Sequence, residues 1–140
     1  MAVAPLNKVR EVVEYALTVI PAQKIHLGIP NYGYDWTLPF VRGASQAAIL
    51  GNVQAVQLAI ANNVPIQFDE VAMSPYFFYE TAAKGSLASV RHEVWFEDAR
   101  SISEKLQLVE QYGLRGLSCW QIMQLFRTIW LLAADKFYIR

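Results

Sequence analysis

The chain has 140 residues, 54% of them apolar, which is enough for one domain with its own core. Twelve Lys and Arg offset twelve Asp and Glu, a balance that excludes the basic or acidic footprint of a nucleic-acid or membrane-surface binder. Cys119 is the single cysteine, so neither an internal disulfide nor a thiolate metal cluster can form, and no apolar run approaches the roughly 20 residues of a membrane helix.

The opening residues 1–6 lack a basic stretch and a long apolar stretch, and so do not read as a secretory leader. Leu6, Val9, Val13, Ala16, Leu17 and Ile20 then recur at helical spacing until Pro21, which predicts an amphipathic helix. It feeds a strand at about residues 24–29, where Ile25, Leu27 and Ile29 alternate with His26 and Gly28 and Pro30 is expected to stop the ladder. Asn31, Tyr32, Tyr34, Asp35 and Trp36 follow at once as an aromatic, polar rim, with Gly33 giving the backbone room to turn. In a parallel α/β architecture the residues just past a strand's carboxyl end line the ligand site. Flat rings with a few amide and hydroxyl groups suit a sugar, whose faces are apolar and whose equator is polar. Asn31, Tyr32, Tyr34 and Trp36 are therefore candidate sugar-binding residues.

A polar loop is expected over residues 37–45, then a second helix with Ile49, Val53, Val56 and Ile60 as its stripe, ending near Asn62 and Asn63. The stretches 66–70, 76–80 and 93–97 are short and rich in β-formers, and Gly85-Ser86 joins the last two as a hairpin would need. They predict a small antiparallel sheet inserted into a different architecture. Asp98 or Ser101 can cap a third helix, since Ser101-Ile-Ser-Glu104 fits a capping box, with Ile102, Leu106, Val109 and Tyr112 as its buried stripe and Gly113 as its end. Residues 114–120 read as a second buried strand, and the apolar tail from 125 to 139 as helical or irregular. The frame is helix, strand, insertion, helix, strand, which predicts two neighbouring parallel strands with a right-handed crossover. Their carboxyl ends would bring the rim at 31–36 close to Trp120. Two strands close no barrel, so the chain reads as part of a larger fold.

Four ordered patterns carry a family resemblance: residues 24–36 with Gly-Ile-Pro-x-Tyr-Gly at the centre, Phe68-Asp69-Glu70, Val94-Trp-Phe-Glu-Asp-Ala-Arg-Ser-Ile102, and Tyr112-Gly-Leu-Arg-Gly-Leu-x-Cys-Trp-Gln121. Together they resemble the carboxyl-terminal part of glycoside hydrolase family 18, the chitinase-like barrels, and within it the bacterial spore-cortex and peptidoglycan branch. The resemblance implies an α/β fold: a partial TIM (β/α)8 barrel, its last two strands, carrying a small α+β insertion. Residues 1–36 would be the barrel helix and seventh strand, 37–97 the insertion that walls one side of the cleft, and 98–140 the last helix, eighth strand and tail. It also implies that Tyr32 faces the cleft and that Trp120 floors the subsite before the scissile bond, while Tyr34 stands where many chitinases carry arginine. The implied partner is a polysaccharide containing N-acetylglucosamine, in a spore envelope or secreted setting, with no cofactor or metal.

The family's reaction is retaining hydrolysis in which a protonated Glu gives its proton to the glycosidic oxygen while the substrate's acetamido oxygen attacks the anomeric carbon. The Asp-x-x-Asp-x-Glu strand that supplies this acid does not occur in the sequence, nor does the Met-x-Tyr-Asp strand. No catalytic residue is therefore assigned to this chain. Asp69-Glu70 and Glu97-Asp98 fit solvated strand ends or a helix cap, and neighbours on a strand point to opposite faces, so neither pair is a dyad. Read without the resemblance, Trp120 fits core packing as well as a site. His26, His92 and Cys119 read as structural, and the Phe, Tyr and Trp stripes of the insertion as its own packing. Two rivals to an enzyme segment stand beside it: a non-catalytic carbohydrate-binding fragment, and a piece that folds only with a complementary amino-terminal part of the barrel or by self-association, since exposed strand edges invite pairing.

Overall fold

The computed structural model describes residues 1–82 and 89–138. Its elements run α1 (Leu6–Leu17), β1 (His26–Pro30), β2 (Tyr32–Thr37), β3 (Ala47–Gly51), α2 (Asn52–Ala61), β4 (Gln67–Asp69), β5 (Ser74–Ala82), β6 (Ser89–Trp95), α3 (Ala99–Gln111), β7 (Gly116–Trp120) and α4 (Arg127–Lys136). They form an α/β molecule with two sheets. β1 and β7 pair in parallel, and β3-β2-β6-β5-β4 make a five-stranded sheet whose pairs are all antiparallel.

The parallel pair runs in register from His26 opposite Gly116 to Pro30 opposite Trp120. Leu27 and Ile29 of β1 are buried. Leu27 joins Leu6, Val13, Leu108, Val109 and Leu114 beneath α1 and α3. Ile29 joins Ile102, Leu106 and Ile129 between α3 and α4. Each such aliphatic side chain contributes about 1.5–3 kcal/mol by leaving water, which is why one face of β1 is apolar. His26, Gly28, Ser118 and Trp120 occupy the alternate positions, and Trp120 is 70% exposed.

In the larger sheet, Phe77 and Tyr79 of β5 and Val94 of β6 turn to one face and pack with Phe96 against Ala55 and Ala59 of α2. The small side chains of α2 let the helix lie close to the sheet. The expected apolar stripe of this helix is thus inverted: Val53, Val56 and Ile60 are exposed, and Ile49 belongs to strand β3 instead. Asn52, Ala55 and Ala59 face inward.

Other local expectations change, but Pro30 ends its ladder as expected, as the last residue of β1 opposite Trp120. The rim after it is not a loop, because Tyr32 to Thr37 pair with both β3 and β6. Gly33 is needed for closeness and not for turning. A Cβ there would fall on the Trp95 carbonyl oxygen and within 2.7 Å of Phe96 Cβ. The α3 cap is Asp98, which accepts the N–H groups of Arg100 and Ser101 at 2.9 and 3.0 Å while Ser101 Oγ accepts the Asp98 N–H at 2.9 Å. Ser101 is therefore the third residue of the motif and Glu104 has no part in it. Gly113, at φ +58°, follows the last turn of α3. The hairpin expectation at Gly85-Ser86 lies outside the described residues.

Candidate functional site

The carboxyl ends of β1 and β7 meet at a buried polar junction. Asn31 N–H donates to the Trp120 carbonyl at 2.6 Å. The Asn31 side-chain amide donates to the Gln121 carbonyl at 3.4 Å and also to that of Gln124. Asn31 is 2% exposed; its side-chain NH2 holds the turn after β7, while its buried Oδ1 has no partner among the described residues. Gly51, opposite Tyr32 in the β2–β3 register, lies so near this turn that a Cβ would come within 2.6 Å of Gln124 Oε1.

The junction continues inward through a cluster that the sequence reading did not identify. Asn52 Oδ1 accepts the Glu97 N–H at 2.9 Å, and Lys105 Nζ donates to Glu97 Oε2 at 2.8 Å with both side chains 1% exposed. Burial pushes the Glu97 carboxyl up, against the opposing pull of the Lys105 ammonium and the Ser101 hydroxyl. A signal existed: Lys105 sits between Ile102 and Leu106 on the buried stripe of α3, where a charge requires a partner. Nothing local names Glu97 as that partner.

Tyr32, Tyr34 and Trp36 share one face of β2, since alternate residues of a strand point the same way. Their rings meet edge to face at 5.7 Å and 5.5 Å, and Phe40 continues the series at 5.4 Å from Trp36. All three β2 rings are half-buried. Burial, with Tyr34 beside it, raises the Tyr32 hydroxyl above its ordinary range. Trp36 Nε1 donates to the Met1 carbonyl at 3.0 Å. Trp120 leaves from the same end of the parallel pair, because Pro30 is its register partner and Tyr32 follows two residues later.

Asp35 points to the opposite face. Its carboxylate accepts the Tyr79 hydroxyl at 2.5 Å and lies 3.0 Å from His92 Nδ1; Tyr79 stacks on His92 at 4.5 Å. Burial and the Asp35 carboxylate push the Tyr79 hydroxyl up. These side chains clasp β2, β5 and β6 beneath the aromatic face. Asp69 and Asp98 are also locally engaged. Asp69 accepts the N–H groups of Val71 and Ala72, and Asp98 caps α3. Cys119 is half-buried, and burial raises its thiol. Among the described residues no group of three His, Cys, Asp or Glu is arranged to hold a metal ion, and no helix is long and apolar enough to cross a membrane.

Comparison with known proteins gives this arrangement a family. The pattern of glycosyl hydrolases family 18 matches residues 2–124. The cortical fragment-lytic enzyme of Bacillus subtilis (strain 168) is 46% identical over 138 residues, which cover 99% of this chain and 31% of that protein. The crystal structure of the spore cortex-lytic enzyme SleL of Bacillus megaterium QM B1551 matches with a TM-score of 0.90 at 43% identity, over 100% of this chain and 32% of that one. A chitinase from Chromobacterium violaceum ATCC 12472 matches at a TM-score of 0.73 and 33% identity, over 88% of this chain and 36% of its own. The chain spans about a third of the length of these relatives. It belongs to glycosyl hydrolases family 18, and its likeness is to the spore-cortex branch of that family.

Proposed function

We propose that this chain is the carboxyl-terminal segment of a glycosidase that cleaves N-acetylglucosamine-containing polysaccharide, spore cortex peptidoglycan before chitin, by substrate-assisted retaining hydrolysis. The observation that carries the reading is the asymmetry of the parallel pair. One face of β1 is sealed by α1, α3 and α4, while His26, Gly28, Ser118 and Trp120 occupy an alternate face left exposed in the described residues. A TIM barrel has this arrangement: helices outside, and inward side chains that need the remaining strands to enclose them. β1 and β7 are then the last two barrel strands, and the antiparallel sheet with α2 is the insertion beside the cleft. The name of the Bacillus subtilis relative supports cortex fragments as the substrate class.

In this reading the segment binds sugar and leaves proton transfer to the rest of the enzyme, because the sequence holds no Asp-x-x-Asp-x-Glu. Tyr32, Tyr34 and Trp36 offer ring edges and hydroxyls along the wall. The exposed indole of Trp120 offers a flat apolar platform. Asn31 acts from behind, holding the Trp120 turn through its amide. The chain by itself is expected to release no reducing ends from cortex peptidoglycan, and robust turnover by pure chain would refute the assignment. Tryptophan fluorescence is expected to respond to N-acetylglucosamine oligomers and to lose that response in Trp120→Ala. Since Trp120 is 70% exposed, the variant should keep its stability within about 0.5 kcal/mol, so lost binding is not lost fold.

The missing acid together with an open aromatic rim also favours a second reading, a non-catalytic carbohydrate-binding fragment. Restored hydrolysis on mixing with the amino-terminal part of a relative separates the two: the enzyme segment complements and the binding fragment does not.

A further inference from the structure

Three side chains on the α2 side of the five-stranded sheet stand in one hydrogen-bonded line. Asp35 Oδ1 lies 3.0 Å from His92 Nδ1, and His92 Nε2 lies 3.1 Å from Thr81 Oγ1. The register explains how. Thr37 and Tyr79 are both opposite His92, Asp35 is two residues from Thr37, and Thr81 is two residues from Tyr79. Residues two apart on a strand share a face, and diagonal neighbours across strands come within reach. Nothing nearby in the chain marks the group, since the partners of His92 lie 57 and 11 residues away.

The bonds assign every proton in the line. The Tyr79 hydroxyl donates to Asp35 Oδ2 at 2.5 Å, and burial beside the Asp35 carboxylate keeps that proton on Tyr79. A carboxylate only accepts, so His92 Nδ1 carries the N–H, and Nε2 is left as the acceptor for the Thr81 O–H. Tyr79 stacks on His92 at 4.5 Å and 22°, which fixes the imidazole plane. The His92 and Asp35 side chains are 16% and 14% exposed, whereas Thr81 is exposed. A hydroxyl at the surface, an imidazole behind it and a carboxylate behind that is the order nucleophilic hydrolysis needs. A clasp of the strands requires only Asp35, Tyr79 and His92 Nδ1. It gives no reason for Nε2 to end on an exposed hydroxyl.

There is room for a small substrate beside Thr81. A cleft of about 470 Å³ is lined by Asn62, Val64, Tyr79, Glu80 and Arg91. Tyr79 and Glu80 point to opposite faces and both line it, so it opens at the edge of β5. Beyond Tyr76 that strand pairs with β6 alone. Among the described residues its other edge leaves alternate backbone N–H groups without a strand partner, the type of donor an oxyanion takes.

We propose that Thr81, His92 and Asp35 form an acyl-transfer centre that hydrolyses short-chain carboxylic esters, with Thr81 as nucleophile, His92 as general base and Asp35 as positioning residue. His92 Nε2 takes the Thr81 proton as Oγ1 bonds to the acyl carbon and the carbonyl electron pair moves onto oxygen. When that pair returns, the bond to the alcohol oxygen breaks, and the alcohol leaves with the proton from His92. Water then attacks the acyl-threonine in the same way. Its proton passes through His92 to Oγ1, releasing the carboxylic acid and restoring Thr81. This activity is independent of the sugar-binding reading, because Tyr32, Tyr34 and Trp36 face the other side of the sheet.

Incubating the 140-residue chain with p-nitrophenyl acetate tests it. Nitrophenolate is expected to appear with an initial burst, and peptide mass spectrometry after an acid quench should find the acetyl group on Thr81. Thr81→Val should lower kcat/KM at least about a hundredfold. Thr81→Ser, which keeps the hydroxyl, should retain turnover within about tenfold and so separate chemistry from folding. Asp35→Asn should lower kcat at least about tenfold with KM unchanged, a split that loss of a strand clasp alone does not produce. Turnover that persists in Thr81→Val, an acetyl group found only on other residues, or no release of nitrophenolate by the unaltered chain overturns the proposal.

Discussion

Replacing Lys105 with Met removes one half of an ion pair whose side chains are each 1% exposed and whose charged atoms are 2.8 Å apart. Met fills a similar volume without charge, and Glu97 is left buried with no counter-ion. An uncompensated buried charge of this kind costs about 3–5 kcal/mol, a large share of the roughly 5–15 kcal/mol that holds a domain folded. Glu97 can relieve the cost by taking a proton. Burial already raises its carboxyl and Lys105 opposes that rise, so loss of Lys105 moves it further up. A raised carboxyl costs nothing below its unfolded pKa, and the cost grows as pH climbs from that value through the folded one. The deficit of Lys105→Met is therefore expected to be largest near neutrality and to shrink as pH falls toward the ordinary Glu value of 4.5. The unaltered chain moves the same way but less, because Lys105 holds back the rise of the Glu97 carboxyl. Urea unfolding at about pH 7.5 and about pH 5 measures both trends. Adding Glu97→Gln to Lys105→Met should recover much of the loss, giving a coupling of about 2 kcal/mol or more. A deficit below about 1 kcal/mol at about pH 7.5, or one that ignores pH, would refute the argument.

Two further substitutions test the positioning of the site. Gly33→Ala should destabilise by about 3 kcal/mol, because the new methyl meets the Trp95 carbonyl and Phe96 Cβ at 2.7 Å; a thermal midpoint equal to that of the unaltered chain would contradict the β2–β6 contact. Asp98→Ala should cost about 1 kcal/mol through the lost α3 cap, whereas Glu104→Ala should stay within about 0.5 kcal/mol. Equal losses in the two variants, read by urea titration, would return the cap to Ser101 and Glu104.

The periodic signals that survived folding are those in which one face of an element had a single possible neighbour. Leu27 and Ile29 alternate with exposed residues, and α3 shows Ile102, Leu106 and Val109 at helical spacing, so the parallel pair and its covering helix were legible. The α2 stripe misled because Val53, Val56 and Ile60 repeat at the same helical period as the residues actually buried, Asn52, Ala55 and Ala59. Periodicity reports that a helix has faces; the closeness of the sheet decided that the alanine face went inward. β3 was missed because five residues with a glycine, Ala47 to Gly51, carry little strand signal without their partner β2.

Chain order alone determined that aromatic residues follow directly on a buried strand and that a tryptophan ends the next one. It also carried the ordered motifs of family 18. Only the tertiary structure decided that Asn31 is a buried brace for the Trp120 turn, that Glu97 and Lys105 are partners, and that Asp35, His92 and Thr81 stand in one line across three strands. Those facts depend on strand register and on contacts between residues far apart along the chain. No local spacing encodes them, because which side chains meet across a sheet is set by how its strands align.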